Sequence, residues 1–418
     1  MDLEFGIYFG FCSIWIWDFS PTKLIKEQKI SNNGEIMKVA VVGIGHGKFG
    51  KRNDATVQEL AFESFRAALK DSNLAIKDID ASVIGSVPEY HKQRSLPGVV
   101  AEYIGMNPKP TFLTEAACAS SSAALRTAWA NIKAGLHDVV AVVGVQKMLE
   151  LTTPELLALM GRVGDVQWES GFGTTFPGYY AMYATRHMHD FGTKKEHLSM
   201  VAVKNHFYGA KNPNAMFQKE VPLEKAQGAR LVASPLNLYD CCANADGSAT
   251  LILASEERAR KITDTPVWIE SIGSASAPMS VLRRENLISI PSAVQASREA
   301  YKMAGVGPKD INVADVHDCF TIAEILAYED LGFCERGQGG KMIEEKQTYI
   351  DGKIPVNVDG GLKAKGHPVG ATGASMAVEM VKQLRGDAGE RQVQGAEIGL
   401  AHNVGGIGQY CFVSIFKR

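Results

Sequence analysis

The hydrophobic and polar positions alternate between two kinds of segment along most of the chain. Short apolar runs of strand length, VVAVVG at 139–144, ATLILAS at 249–255 and EIGLAHNVGG at 397–406, are separated by segments with the spacing of amphipathic helices. Buried strands that alternate with such helices are typical of layered α/β folds. The pattern therefore predicts an α/β protein.

The chain also contains an internal repeat. AALKDSNLAIKDIDASVIGSV (67–87) aligns without gaps with AYKMAGVGPKDINVADVHDC (300–319), and the matching KDID and KDIN lie at an offset of 232. A second pair of segments, 111–135 and 356–386, runs in each case from a strand through a tight turn into a helix. The repeat predicts two copies of one folding unit.

The duplication predicts a first half at 37–265 and a second half at 266–418. Residues 151 to about 230 are rich in Met, Tyr, His and Pro and break the repeated pattern. We expect them to form a lobe inserted between strands of the first half. Inserted segments of this kind often cover a site.

The start of the chain differs from the rest. FGIYFGFCSIWIW (5–17) is an apolar run with the length of a signal h-region rather than of a membrane span. Asp2 and Glu4 precede it in place of basic residues, and no A-x-A cleavage site follows. The sequence from Met37 reads as the opening strand of a domain. Our hypothesis is that Met37 is the native start and that 1–36 is a non-native extension, which N-terminal sequencing of native protein tests.

Composition and charge exclude several classes of function. Lys+Arg total 44 and Asp+Glu total 46, for a net charge of -2 with no basic tract, so nucleic-acid binding is not expected. The seven cysteines form no CxxC pair, which favours a reducing cytoplasm and predicts no metal site. His187 and His189 are interpreted as polar surface histidines. The glycines of GIGHGKFG (43–50) lack the helix that a dinucleotide fingerprint needs directly after them.

Four turns carry reactive side chains. Cys118 lies in EAACASSSAAL, at a strand-to-helix turn where the helix N-terminus favours a thiolate and small neighbours leave room for a substrate. His317 and Cys319 lie in HDCF, His367 in KGHPVGATGA and His402 in HNVGGIGQ. Each turn alone has an ordinary structural interpretation. Four of them at the ends of repeated elements, where α/β sites form, predict a catalytic site.

These motifs (CASS, HDCF, GHPVGATGA and HNVGG), in this order over 37–418, resemble those of sterol-carrier-protein-type thiolases, and archaeal acetoacetyl-CoA thiolases look similar. YDCCANADGSATLIL (239–253) also resembles a strand of that family. The resemblance implies an α/β thiolase fold of two duplicated βαβαβαββ halves, each with a mixed five-stranded sheet, and a homodimer or homotetramer. It implies condensation of two acetyl-CoA to acetoacetyl-CoA and CoA, or the reverse, in a cytoplasmic enzyme that feeds mevalonate and isoprenoid synthesis.

The acyl-transfer step accounts for two of these residues. Transfer from a CoA thioester needs a soft nucleophile whose product is itself a reactive thioester, and we assign that role to Cys118. His367 is the candidate base that takes the thiol proton and returns one to the departing CoA sulfur. Backbone N–H groups of Cys118 and of the turn that holds Gly405 and Gly406 are expected to bind the tetrahedral oxyanion.

The carbon–carbon step needs a second base. His317 stands where biosynthetic thiolases have the asparagine of NEAF, and His402 stands about where they have their second catalytic cysteine. In the sterol-carrier branch the HDCF cysteine supplies that function, so the resemblance assigns the second base to Cys319. His317 and His367 are expected to stabilise the enolate oxygen. For His402 three roles stay open: it orients Cys319, touches the substrate, or bonds to nearby backbone.

Other functions remain as alternatives. A ketoacyl synthase of the same superfamily uses a Cys-His-Asn set, which Asn403 keeps open. A retro-aldolase that works with a zinc-ribbon OB-fold partner shares the scaffold but needs no pair such as Cys118 and Cys319. A non-catalytic acyl-CoA or lipid-binding protein needs none of the four turns. The resemblance further implies 3-hydroxy-3-methylglutaryl-CoA synthase and the zinc-ribbon OB-fold protein as possible partners, and no cofactor, since CoA thioesters are the substrates.

Overall fold

The computed structural model describes residues 37–418, so the extension predicted at 1–36 lies outside the described residues. The strands are β1 (Val39–His46), β2 (Ala81–Gly85), β3 (Thr111–Thr114), β4 (Val139–Gln146), β5 (Leu231–Ala233), β6 (Leu236–Asn237), β7 (Gly247–Ser255), β8 (Val267–Ser276), β9 (Val313–Val316), β10 (Ile398–Gly405) and β11 (Tyr410–Lys417). The helices are α1 (Val57–Ser72), α2 (Leu96–Tyr103), α3 (Ser120–Lys133), α4 (Thr153–Gly161), α5 (Phe176–Phe191), α6 (Lys195–Gly209), α7 (Leu223–Gln227), α8 (Glu256–Ile262), α9 (Pro291–Ala304), α10 (Thr321–Asp330), α11 (Gly339–Glu344) and α12 (Thr372–Arg385).

One mixed sheet of nine strands runs through the described chain, in the order β3-β2-β4-β7-β1-β8-β11-β10-β9. The order read outward from β1 matches the order read outward from β8, so the two copies of the repeat meet where β1 pairs with β8. Strand β2 is parallel to β3 and β4, as β9 is parallel to β10. The predicted duplicated α/β fold is confirmed.

The second copy differs from the expected five strands in one place. The counterpart of β3 is only a single bridge between Ala314 and Val356. The chain turns away directly afterwards, because Asn357 has a φ of 55° and its side chain accepts a hydrogen bond from Val316 N at 2.7 Å. A left-handed residue of this kind ends an extended segment.

The sheet has helices on both faces because its central strands are apolar on both. All of β4 is buried, and its side chains alternate between two cores. Val140 and Val142 pack with Ala124 and Leu125 of α3, whereas Val143 packs on the other face among residues of α1 and α2. Strands buried on both faces read as continuous apolar runs, which is why VVAVVG is visible in the sequence.

The segment between β4 and β7 contains α4 to α7 and the β5–β6 hairpin. Helix α5 brings Tyr180 against the end of β10, where its hydroxyl donates to Gly406 O at 3.2 Å. The interpretation of His187 as a surface histidine is wrong: it is fully buried on α5, with Nδ1 2.8 Å from Thr193 Oγ1 and Nε2 3.1 Å from the Glu329 carboxylate. No helix within 37–418 is long and apolar enough to cross a bilayer.

Candidate active site

The turns predicted to be reactive come together at one end of the sheet. Cys118 Sγ and one ring nitrogen each of His317 and His367 all lie within 4.8 Å of one another. The two imidazole rings meet edge to face, with centroids 5.2 Å apart. Cys118 is 6% exposed, and both histidines are buried more deeply. This arrangement places a thiol directly against two imidazoles.

The turn that carries Cys118 is held in a strained shape by its own neighbours. Ala117 has a φ of 50°, which is uncommon for a residue with a side chain. Its N–H donates to Glu115 Oε1 at 2.6 Å, and its carbonyl accepts from Ser120 Oγ at 2.6 Å. These bonds fix Cys118 just before α3 begins. Strain of this kind is stored where the surrounding structure holds it in place.

Two backbone amides favour a negative charge on the Cys118 sulfur. Burial raises the pKa of Cys118 to about 12, and the N–H groups of Gly406 and of Cys118 itself act in the opposite direction and lower it. Gly406 has a φ of 64°, which favours glycine. A Cβ on Gly405 would overlap Ala116 O, so the end of β10 lies directly on the nucleophile turn.

His367 has the tautomer of a base. The Thr372 hydroxyl donates to Pro368 O at 3.1 Å, so its oxygen accepts the hydrogen bond of 2.7 Å from His367 Nδ1–H. The proton therefore sits on Nδ1, and Nε2 keeps its lone pair. This Nε2 is buried and has no hydrogen-bond partner among the described residues. Burial lowers the pKa of His367 to about 3, so the ring is neutral.

The remaining candidates lie deeper. Cys319 is fully buried, and burial, then the neighbouring Cys242, raise its pKa well above the usual value, while a hydrogen bond with Tyr180 lowers it. His402 is 1% exposed, burial lowers its pKa to about 3, and neither ring nitrogen has a partner in the described chain. Its predicted contact with substrate stays a prediction.

A cavity of about 370 Å³ opens in front of Cys118. Its walls are mostly apolar and include Val87, Met160 and Phe176. His317, His367, His402 and Cys319 are not among the residues that line it, whereas Cys118 is. A substrate in this cavity therefore contacts the nucleophile directly.

The sequence interpretation missed the segment at 241–244. Cys242 N donates to Cys319 O at 2.9 Å, and His367 N donates to Ala243 O at 2.8 Å, so this segment lies between the two predicted bases. Its one visible sign was its position in YDCCANADG, a motif that the resemblance already included.

Asp318 is a second missed residue. Its carboxylate accepts from Leu362 N at 2.6 Å and Lys363 N at 3.2 Å, just ahead of the turn that holds His367. It also accepts from Asn205 Nδ2 at 2.7 Å. These bonds couple the HDCF turn to the GHP turn. Its position between two candidate residues was the sign available in the sequence.

The cluster of Cys118, His317 and His367 fits a metal ion poorly, although its atoms are close enough together. Neutral imidazole has one lone pair, and that of His317 lies on Nδ1, which faces Asn403 Nδ2 at 3.0 Å. The Nε2 atom of His317 therefore carries a hydrogen and offers no lone pair to a metal.

Two domain families match the chain: "Thiolase, N-terminal domain" over residues 39–257, and "Thiolase C-terminal domain-like" over residues 273–418. The chain belongs to the thiolase family. Together with the relatives below, this makes it an acyltransferase enzyme.

The thiolase is 44% identical to the acetyl-CoA acetyltransferase of Methanothermobacter thermautotrophicus, over 91% of this chain and 99% of that protein. It is 39% identical to the acetyl-CoA acetyltransferase of Methanocaldococcus jannaschii, over 88% and 96% of the two chains. Sterol carrier protein 2 of Homo sapiens is 31% identical over 91% of this chain and 72% of that protein. The resemblance to archaeal and sterol-carrier-type thiolases is confirmed.

Solved structures share the fold of this thiolase. Human mitochondrial 3-ketoacyl-CoA thiolase matches 91% of this chain and 99% of its own with a TM-score of 0.69 at 17% identity. An Ltp2-ChsH2(DUF35) aldolase matches 90% and 97% with a TM-score of 0.79 at 26% identity.

Proposed function

We propose that this thiolase is an acetyl-CoA C-acetyltransferase that interconverts two acetyl-CoA with acetoacetyl-CoA and CoA. The observation that carries the proposal is the pairing of a neutral thiol, Cys118, with a neutral imidazole, His367, whose Nε2 has a free lone pair. In acylation the sulfur bonds to the acetyl carbon, the bond to the CoA sulfur breaks, and His367 carries the thiol proton to the departing CoA.

The second half of the reaction forms the carbon–carbon bond. Cys319 first gives its thiol proton to the lone pair on Nε2 of His367, and the Cys319 thiolate then removes a methyl proton from the second acetyl-CoA. The resulting carbanion attacks the acetyl group on Cys118, the bond between that carbonyl carbon and the Cys118 sulfur breaks, and the sulfur takes the proton held by His367. Because Cys319 is a buried thiol with a raised pKa, its thiolate is a strong base once formed. The amides of Gly406 and Cys118, which favour a negative charge on Sγ, support an oxyanion site beside it.

A retro-aldolase is the second candidate function, favoured by the likeness to the Ltp2-ChsH2(DUF35) aldolase. Aldol cleavage passes through no acyl-enzyme and has no use for a second cysteine beside the first. A non-catalytic acyl-CoA carrier likewise has no use for a base at Nε2 of His367. The position of Cys118 beside His367, together with a second buried thiol, Cys319, that interacts electrostatically with Cys118, therefore supports the thiolase chemistry.

Mass spectrometry after brief mixing with acetyl-CoA tests the proposal, with acetoacetyl-CoA cleavage by CoA followed in parallel. We expect an acetyl adduct on Cys118 that the Cys118→Ala variant lacks. Cys319→Ala is expected to form the adduct but to cleave acetoacetyl-CoA at least about 100-fold more slowly, the usual contribution of a positioned base. A folded protein that binds acyl-CoA without adduct or cleavage would point to the aldolase or the carrier.

The wider setting follows from the same proposal. The six cysteines of the described residues are free, which supports a cytoplasmic enzyme. A role in mevalonate synthesis is what the resemblance to archaeal acetoacetyl-CoA thiolases implies, and we include it in the proposal. We also propose that the two thiolase halves span 37–265 and 266–418, that the inserted lobe spans about 151–230, and that Met37 is the native start. The aldolase structure is named for a second component, ChsH2(DUF35), as well as for Ltp2, which supports a protein partner for this chain as well. As the family resemblance implies, we propose a zinc-ribbon OB-fold protein and 3-hydroxy-3-methylglutaryl-CoA synthase as partners. A homodimer is the proposed assembly.

A further inference from the structure

A chain of hydrogen bonds from three elements ends on His317. Ser122 Oγ, on α3, donates to Asn403 Oδ1 at 2.8 Å. Asn403 is on β10, and its Nδ2 lies 3.0 Å from Nδ1 of His317, which follows β9. All three side chains are buried. Asn403 lies on the opposite face of β10 from its neighbour His402, because successive side chains of a strand alternate.

This series of hydrogen bonds determines which nitrogen of His317 carries the proton. The Ser122 hydroxyl holds the oxygen of the Asn403 amide, so the NH₂ group faces the imidazole. An amide nitrogen donates and does not accept, so Nδ1 of His317 is the acceptor. A neutral imidazole with its lone pair on Nδ1 has its hydrogen on Nε2. That Nε2 is buried and has no other partner among the described residues.

The two imidazoles of the site thus have opposite tautomers. Thr372 accepts from His367 Nδ1–H and leaves Nε2 of His367 as an acceptor, whereas Asn403 donates to His317 Nδ1 and leaves Nε2 of His317 as a donor. One ring is prepared to take the proton of a thiol and the other to donate to an oxygen. The two tautomers differ because Thr372 accepts a hydrogen bond from one ring, whereas Asn403 donates a hydrogen bond to the other.

We propose that Asn403, held by Ser122, is a positioning residue that keeps His317 in its Nε2–H tautomer, so that His317 donates a hydrogen bond to the enolate oxygen in the carbon–carbon step. The inference rests on the proposed function. The acylation of Cys118 forms no enolate. A change at Asn403 therefore acts on carbon–carbon cleavage far more than on formation of the acetyl adduct.

The packing around Asn403 supports a defined orientation of its side-chain amide. A Cβ on Gly373, in the first turn of α12, would lie 2.5 Å from Asn403 Oδ1 and 2.7 Å from Ser122 N. The glycine therefore leaves the space that the Ser122–Asn403 hydrogen bond occupies. Two helices and a strand meet here with no room for a side chain.

The Asn403→Asp variant tests the proposal, because it replaces the NH₂ donor by an acceptor of the same shape. His317 must then place its proton on Nδ1, and the neutral ring loses the hydrogen on Nε2. We expect the acetyl adduct on Cys118 still to form and the rate of acetoacetyl-CoA cleavage at pH 8 to fall about 100-fold, the usual cost of one oxyanion donor.

The pH dependence of this variant has a definite sign. The new carboxylate raises the pKa of His317, and below that pKa the imidazolium has hydrogens on both nitrogens. The ratio of the variant's cleavage rate to that of wild type is therefore expected to rise as the pH falls. A purely structural defect would leave this ratio flat. Nitrogen-15 NMR of His317 is expected to show Nε2–H in wild type and the change in Asn403→Asp.

Asn312→Asp is the matched control. Asn312 Oδ1 accepts from Glu397 N at 3.0 Å and Ile398 N at 2.8 Å, at the opposite end of β9 from His317, and an aspartate keeps both bonds. This variant is expected to retain the wild-type rates and pH profile. If Asn403→Asp does not fold, Ser122→Ala replaces it: the amide is then free to rotate, and an intermediate loss of cleavage with the adduct retained is expected.

Three results would overturn the inference. If Asn403→Asp cleaves acetoacetyl-CoA at the wild-type rate with a flat pH ratio, Asn403 does not have the proposed role. The same conclusion follows if a folded Asn403→Asp variant loses both the acetyl adduct and the cleavage activity. An Nδ1–H signal for His317 in wild type would exclude it independently of activity. If wild type forms no acetyl adduct, the proposed function fails, and the NMR measurement still decides whether Asn403 sets the tautomer.

Discussion

Each of the three serines after Cys118 makes a different hydrogen bond, which explains why the nucleophile sits among small polar residues. The first closes the nucleophile turn, the second ties α3 to α12, and the third holds the amide behind His317. Their partners, in order, are Ala117 O at 2.6 Å, Ala374 N at 2.8 Å and Asn403 Oδ1 at 2.8 Å. A larger side chain in this run would separate elements that these bonds hold together.

The protonation of Cys118 leads to a first prediction. Burial raises the pKa of Cys118 to about 12 and lowers that of His367 to about 3, so the resting pair is a thiol and a neutral imidazole rather than an ion pair. Only the thiolate is alkylated, and its fraction rises about tenfold per pH unit below the pKa. The rate of Cys118 alkylation by iodoacetamide is expected to rise in this way between about pH 6 and pH 9, without a plateau.

Peptide mass spectrometry over a time course measures this rate for Cys118 separately from the other cysteines. The Cys118→Ala variant gives the background of alkylation elsewhere in the chain. A rate that is already constant below pH 7 would mean a preformed thiolate–imidazolium pair, and the prediction would be wrong.

The sequence predicted which residues react, but it did not predict on which atoms their protons lie. The pairing of Cys118 with His367 was expected from the need for a nucleophile and a base, and the structure brings these side chains within 4.8 Å. The tautomers of His317 and His367 were not predictable. They depend on Asn403 and Thr372, which are partners only after the chain has folded.

At the scale of elements, the site is the meeting point of two helix N-termini. Helices α3 and α12 occupy equivalent places in the two copies of the repeat, and both begin at the cluster of Cys118 and His367. Helix N-termini present partial positive charge and favour the anionic intermediates of acyl transfer. Duplication therefore brings a nucleophile and its base together at one junction.

The Gly373→Ala substitution tests how closely these helices pack. Alanine favours a helix over glycine by about 1 kcal/mol. Here its Cβ would lie 2.7 Å from Ser122 N, and Ser122 Oγ would be closer still. Overpacking of this kind costs about 1–3 kcal/mol, and backbone cannot move aside as a flexible side chain does, so a net loss of stability is expected.

Gly98→Ala is the control for this prediction. Gly98 lies in α2, and a Cβ there would meet no atom within 4 Å. It is expected to gain about 0.5–1 kcal/mol, the intrinsic preference alone. Urea denaturation of both variants against wild type measures the difference, and a stabilised Gly373→Ala would refute the close packing of α3 and α12.

Elements could be predicted where the hydrophobic pattern was strong. The apolar runs became β4, β7 and β10, since strands buried on both faces need apolar side chains throughout. The segment at 241–244 carries no periodicity, and its place between the two bases depends on backbone hydrogen bonds to distant residues. Such contacts leave no pattern in a sequence.

At the scale of the whole molecule, the two ends of the nine-stranded sheet differ. At one end, Val356 is fully buried, and its N–H and carbonyl bond to Thr348 O at 3.0 Å and Lys204 Nζ at 2.5 Å. At the other end, Phe112 of β3 is 36% exposed. An open edge strand presents unpaired backbone groups to another chain. The edge at β3 is therefore where we place the interface of the proposed homodimer.

The register of β3 shows which of its amides are free for such pairing. Ser82 N donates to Pro110 O and Ser86 N to Thr114 O, so residues 110, 112 and 114 face β2. By alternation, the amide of Leu113 points outward. Leu113→Pro removes that outward donor, whereas Leu113→Ala keeps it and loses the same side-chain packing. We therefore expect Leu113→Pro to be monomeric, and Leu113→Ala and wild type to be dimeric, by light scattering and native mass spectrometry. A monomeric wild type would refute the homodimer. A Leu113→Pro dimer as tight as that of Leu113→Ala would place its interface elsewhere, because pairing along β3 needs the amide and not the side chain.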